Sequence, residues 1–111
     1  MKEIRFYRTM QDKIPFENWY KELDNSVQII VDKRLSKVSR GIYGLFKQIS
    51  PELFELKFQN GLRIYYTETD KYIVILFNGG SKQKQSNDIK KAKEYLKEYK
   101  EQINEYKKNN W

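Results

Sequence analysis

The chain is expected to form a small α+β domain with the order β-α-α-β-β-β-α. That is a small antiparallel sheet backed by two N-terminal helices, followed by a long C-terminal helix. Three patterns predict this. Apolar residues step at helical spacing between Phe16 and Val38, and aromatic and β-branched runs separated by turn residues fill positions 53–77. From Ile89 to Tyr106 a regular three–four step returns. A chain of 111 residues holds one hydrophobic core, so residues 1–111 are expected to be one domain, with 97–111 as a helical extension.

Taken in order, residues 3–7 alternate polar and apolar, with Ile4 and Phe6 on one side, which predicts a first strand. Pro15 suits the first turn of a helix, where its missing N–H is not needed. Phe16, Trp19, Tyr20 and Leu23 then share one helical face until Asp24 and Asn25 interrupt it. Ser26 is a fitting cap for a second helix, whose inner face carries Val27, Ile30, Val31, Arg34, Leu35 and Val38, and Gly41 supplies a left-handed stop. Pro51 is expected to end a loop ahead of strands at 53–58, 62–68 and 72–77, with a tight turn at 69–71. The last of these strands is apolar on both faces, as a strand covered on both sides must be.

The first hairpin can be given a register. A two-residue Asn60-Gly61 turn would set Phe58 against Arg63 and mix the two faces. A three-residue loop, Gln59-Asn60-Gly61, with Gly61 left-handed, instead pairs Phe58 with Leu62, Leu56 with Ile64 and Phe54 with Tyr66. The opposite face then receives Lys57 beside Arg63 and Glu55 beside Tyr65. Two adjacent cations repel unless an anion lies between them. Gly79-Gly80 is expected to end the last strand, residues 81–85 to form a polar loop, and Ser86, Asn87 or Asp88 to cap a helix over 88–108. Its seam of Ile89, Ala92, Leu96, Tyr99, Ile103 and Tyr106 suits packing against one partner surface.

Composition narrows the chemistry. Lys+Arg 22 against Asp+Glu 15 gives a net charge of +7, which suits an acidic partner such as nucleic acid. Residues 81–111 concentrate that excess: their nine basic side chains are all lysines, against five acidic ones. Cys 0 excludes disulfides and thiolate nucleophiles, and His 0 excludes imidazole metal ligands and Ser-His triads. Any catalysis must run on Lys, Arg, Tyr and carboxylates, with no metal and no cofactor expected. The longest apolar run covers residues 73–77, too short for a membrane span. Charges at Lys2, Glu3 and Arg5 interrupt any signal core, so a cytoplasmic location is expected.

One ordered set of short motifs goes further. Glu55-Leu56-Lys57 is followed by Gly61-Leu62-Arg63-Ile64-Tyr65-Tyr66 and an apolar strand. Then come Gly79-Gly80-Ser81-Lys82, Gln85, Asp88-Ile89 and Ala92. Upstream lie Pro15-Phe16, Trp19, Leu23 and the Gly41–Gly44 loop before Lys47. From about Phe16 to Leu96 this resembles the RelE/ParE superfamily of toxin–antitoxin toxins, most closely the phage-derived HigB-like "addiction module killer" branch. The resemblance implies a ribosome-dependent messenger RNA endoribonuclease that inhibits translation. It also implies silencing by a cognate antitoxin, commonly a helix-turn-helix protein. Lys57 stands where arginine is common in relatives, and the lysine-rich helix beyond Leu96 is longer than the family core requires.

RNA can be cut by its own 2′-hydroxyl if that proton is removed, the phosphoryl charge is neutralised and the leaving 5′-oxygen is stabilised. Arg63 is the best phosphate stabiliser, because its planar fork matches phosphate oxygens; the alternative is a surface arginine paired with Glu55. Lys57 is either a second clamp, a base, or a solvated strand lysine. The family motif points Lys82 to the phosphate or leaving group. Lys84 is a backbone contact or simply a flexible loop lysine. Gln85 hydrogen-bonds a base or organises the loop, and Tyr65 is placed to stack on a base. Tyr66 and Trp19 read as core, Asp88 as a helix cap or first-turn anion, and Trp111 has no assigned role. Two other readings remain at this point: a ParE-type gyrase inhibitor of the same fold, and a basic protein-binding module using the 89–106 seam.

Overall fold

A computed structural model describes residues 1–110; Trp111 lies outside the described residues. The elements are β1 (Glu3–Phe6), α1 (Pro15–Lys21), α2 (Asn25–Ser39), β2 (Phe46–Ser50), β3 (Leu53–Lys57), β4 (Leu62–Asp70), β5 (Ile73–Ser81) and α3 (Gln85–Asn110), with a 3₁₀ turn at Lys82–Lys84. Five strands form one sheet in the order β1-β5-β4-β3-β2. The α+β class and the long C-terminal helix agree with expectation.

Two features of the sheet correct it. The segment before Pro51, expected as loop, contains the edge strand β2, antiparallel to β3. Phe46, Lys47 and Gln48 are all exposed, so no buried/exposed alternation marks this strand; backbone pairing alone defines it. The sheet is also mixed, because β1 runs parallel to β5 along its outer side. Strand direction follows from how the chain returns through two helices, which no local residue pattern encodes.

The expected hairpin register holds. Gly61 sits at φ +90°, Leu56 pairs with Ile64, Phe54 with Tyr66 and Lys57 with Arg63. The peptide N–H groups of Phe58 and Gly61 close the loop on Leu62 O and Phe58 O. Burying one apolar set selects this register, since a one-residue slip would turn that set to the other face.

The sheet is covered on both sides. On one side α1 and α2 pack Phe16, Val31 and Val38 against Leu56, Ile64, Tyr66, Val74 and Leu76. On the other, α3 lays Ile89, Ala92, Leu96 and Tyr99 over Leu53, Tyr65, Ile75 and Phe77. From Ile89 to Tyr99 the seam of α3 is therefore filled by the chain's own sheet. Tyr106, the last seam position, is exposed. With 26 residues α3 is about 39 Å long, and Lys100 ties its middle to Glu52 by an ion pair.

Several boundaries shift. The last strand does not stop at Gly79-Gly80 but runs through them to Ser81, and β4 reaches Asp70, leaving the turn at Lys71 and Tyr72. Tyr72 N donates to Asp70 Oδ1 there at 2.6 Å. α2 begins at Asn25 after Asp24, with no side-chain cap bond, so Ser26 lies inside its first turn. α3 begins at Gln85, and Ser86, Asn87 and Asp88 occupy its first turn rather than its cap. No helix among the described residues is long and apolar enough to cross a membrane.

Candidate functional site

Strand register assembles two polar rows on the α3 side of the sheet. Lys47, Glu55, Tyr65 and Asn78 are successive cross-strand partners on β2, β3, β4 and β5. The next row holds Lys57, Arg63 and Gly80. Leu62 pairs with Ser81, so Lys82 enters the 3₁₀ turn immediately beyond the second row. The register thus sets Lys57 and Arg63 side by side and brings Lys82 to the same end of the sheet. Lys57 is half-buried and Lys82 and Lys84 are exposed; neither Lys57 nor Lys82 has an ion-pair partner among the described residues.

Arg63 is held from below. Only 11% of its side chain is exposed, and its Nε faces Oε1 of the fully buried Glu55 at 3.8 Å. Its Nη1 donates to Leu62 O at 3.2 Å. From the first turn of α3, Gln85 Nε2 donates to the other Glu55 oxygen, Oε2, at 2.8 Å. Gln85 therefore bonds a carboxylate inside the protein, which fits the structural alternative of organising the start of the helix.

Tyr65 is also corrected. Its ring is fully buried under α3, so no base can stack on it. The hydrophilic face expected from the β3–β4 register is dry at this position, because α3 covers it. Burial and the nearby Glu55 carboxylate push the Tyr65 hydroxyl well above the ordinary tyrosine range. Tyr66 is core on the opposite face, as expected, and Trp19 packs there too.

The first turn of α3 rests on glycine. A Cβ on Gly80 would strike Asp88 Oδ2, and one on Gly79 would strike the Trp19 indole. The two glycines let α3 and α1 approach opposite faces of β5 at one point. Gly79→Ala is expected to destabilise the fold by ~2 kcal/mol, because a rigid ring on packed helix α1 cannot yield freely. Urea denaturation checks it.

Asn78 Nδ2 donates to Asp88 O at 3.1 Å, fixing the helix start to β5. Asp88 is buried, and burial raises its carboxyl above the usual range, while Lys91 and Lys84 pull it back down. A folded-state pKa above the unfolded value of 3.8 favours folding at low pH, and that contribution is lost as pH rises through the raised value. Asp88→Asn is therefore expected to gain stability relative to the wild type at pH 7 and to lose that advantage towards pH 4. Paired thermal melts across this range measure the difference.

Five buried polar atoms of this cluster lack a hydrogen-bond partner among the described residues: Tyr65 Oη, Glu55 Oε1, Arg63 Nε, Asn78 Oδ1 and Asp88 Oδ2. Arg34 contributes from the opposite side. It donates to Tyr43 O at 2.9 Å, Lys57 O at 2.7 Å and Leu45 O at 2.7 Å, and lies 4.9 Å from the Phe58 ring centre. It thereby fixes the backbone that carries Lys57.

No protein-family model matches the chain. An uncharacterized protein of Haemophilus influenzae is 31% identical over 83 residues, covering 72% of this chain and 84% of that protein. This chain belongs to the family of that Haemophilus protein. Two contributors escaped the sequence reading, Arg34 as a backbone clamp and Gly80 as the seat of Asp88, whereas Glu55 is the partner that the alternative reading of Arg63 named, though buried rather than at the surface. Arg34 carried a signal, since a cation stood among the apolar positions of its helix.

Proposed function

We propose that this protein is the toxin of a type II toxin–antitoxin pair, RelE/HigB-like, and cuts messenger RNA on the ribosome. The observation that carries the reading is the cross-strand pairing of Lys57 with Arg63, with Lys82 leaving the same end of the sheet. Like charges directly opposite on neighbouring strands are destabilising, on the order of 0.5 kcal/mol, and a phosphate between them reverses the sign. The motif series from Glu55 to Ala92 adds the family resemblance.

In this reading the RNA supplies its own nucleophile. The 2′-hydroxyl gives its proton to solvent as its oxygen attacks the adjacent phosphorus, the bond from phosphorus to the 5′-oxygen breaks, and that oxygen takes a proton from solvent, leaving a 2′,3′-cyclic phosphate and a 5′-hydroxyl. Arg63 meets the charge that builds on the phosphoryl oxygens. Lys57 clamps the same phosphate, Lys82 stabilises the leaving oxygen, and Lys84 contacts the backbone. The lysine-rich α3 adds salt-dependent attraction to ribosomal RNA. No cofactor is needed for this step.

Ile42, Leu45 and Phe46 expose large apolar surface beside the edge strand β2. Such a strip suits a protein partner, and a cognate antitoxin, commonly a helix-turn-helix protein, is the partner that this function requires. The test is expression of the wild type beside Arg63→Ala in growing cells, with messenger 5′ ends mapped. Growth arrest with new 5′ ends inside reading frames, lost in the variant, supports the nuclease. Arrest with intact messages and accumulating cleaved DNA–gyrase complexes would move the assignment to the ParE-type inhibitor.

A further inference from the structure

We infer that Glu55 and Gln85 are positioning residues that hold Arg63 by one edge of its guanidinium and so present the other edge to phosphate. The inference rests on the nuclease reading for its consequence, and on geometry for its substance. Glu55 and Arg63 are diagonal neighbours on one face of the β3–β4 pair, since Glu55 pairs with Tyr65 and Lys57 with Arg63. Glu55 is fully buried, so its charge needs compensation on the spot. One oxygen finds it in Gln85 Nε2 at 2.8 Å, and the other faces Arg63 Nε at 3.8 Å.

The order of these contacts gives direction to the device. Gln85 is fixed by the first turn of α3, which sits on Asn78 and Gly80 of β5. Gln85 then restricts the Glu55 carboxylate, which has few other ways to turn inside a buried site. The carboxylate in turn faces the Nε edge of Arg63, while Nη1 is drawn to Leu62 O. A guanidinium has five N–H donors in a rigid plane, so restraining one edge fixes where the rest can point. The 3.8 Å separation is longer than a hydrogen bond, so Arg63 is steered by charge while its own donor remains unspent.

The experiment uses the full chain as Gln85→Ala and Glu55→Gln, with two separate readouts. The first is solvent exchange of the Arg63 Nε proton by nitrogen-15 NMR, which needs no substrate. The second is message cleavage on programmed ribosomes with kcat and KM determined separately. The expected result for Gln85→Ala is Nε–H exchange faster by at least about ten-fold with the global melt nearly unchanged. Cleavage is expected to fall about 10- to 100-fold in kcat, with KM held within about two-fold. Unaltered exchange in Gln85→Ala, or altered exchange with an unaltered kcat, overturns the inference. If Glu55→Gln does not fold, Gln85→Ala decides alone, because Gln85 is only half-buried. A wild type that binds programmed ribosomes and leaves the message whole overturns the nuclease reading instead, and the exchange measurement still decides whether Gln85 and Glu55 hold Arg63.

Discussion

Replacing Arg63 by Ala is expected to lower message cleavage on the ribosome by about 10²–10³-fold, mostly in kcat, because in the proposed reaction Arg63 is the main donor to charge that develops only in the transition state. The substitution has a second effect that must be separated from the first. Glu55 is fully buried and faces Arg63, so the single variant leaves a carboxylate without its cation. Breaking a buried pair in this way costs about 3–5 kcal/mol. The double variant Arg63→Ala/Glu55→Gln removes the mismatch, and it should recover much of the stability while remaining inactive. Arg63→Lys keeps the charge but loses the planar fork, and is expected to fold and to retain only a small share of activity. Steady-state kinetics on each, with denaturation curves beside them, separates the chemical loss from the structural one.

The largest purely structural effect is expected at Arg34. Its three donors reach the carbonyls of Tyr43, Leu45 and Lys57, which tie α2 to the start of β2 and the end of β3. Hydrogen bonds from a charged donor contribute about 1.5–3 kcal/mol each, and the exposed part of the side chain discounts the sum. Arg34→Ala is therefore expected to destabilise the fold by ~3 kcal/mol, which lowers the melting temperature by about 15 °C in a domain of this size. Arg34→Lys should recover little, since one ammonium cannot span three carbonyls that a fork reaches together. Thermal unfolding of the three proteins tests this without any assumption about function.

What the sequence made legible follows the physics of burial. Leu56, Ile64 and Tyr66 could be placed on one face because one apolar set must share a face, and that requirement fixed Gly61 in its loop and Lys57 beside Arg63. The strand β2 was not legible, because Phe46, Lys47 and Gln48 are all exposed and an edge strand held by backbone bonds leaves no alternation to read. The parallel placement of β1 was hidden for a related reason: direction is a property of the whole path, not of Ile4 and Phe6.

At the site the errors have one source. The β3–β4 register alone leaves the face carrying Tyr65 open, whereas α3 lies across it and buries the ring. Gln85, which the sequence reads as bonding a base or organising the loop, turns its Nε2 inward to Glu55, thirty residues away in the chain. The seam of α3 read correctly as a packing surface, but the surface it packs against belongs to its own sheet. The exposed cations at this end of the sheet are Lys82 and Lys84, with Lys57 half-buried and Arg63 restrained beside Glu55.

The most direct test of the central claim incubates the purified protein with ribosomes carrying a defined message, and maps RNA ends by primer extension. Cuts with 5′-hydroxyl ends are expected to be confined to ribosome-bound message, absent on the same RNA free in solution and absent with Arg63→Ala/Glu55→Gln. Intact message in the presence of demonstrated ribosome binding, or cleavage that persists in that double variant, would contradict it.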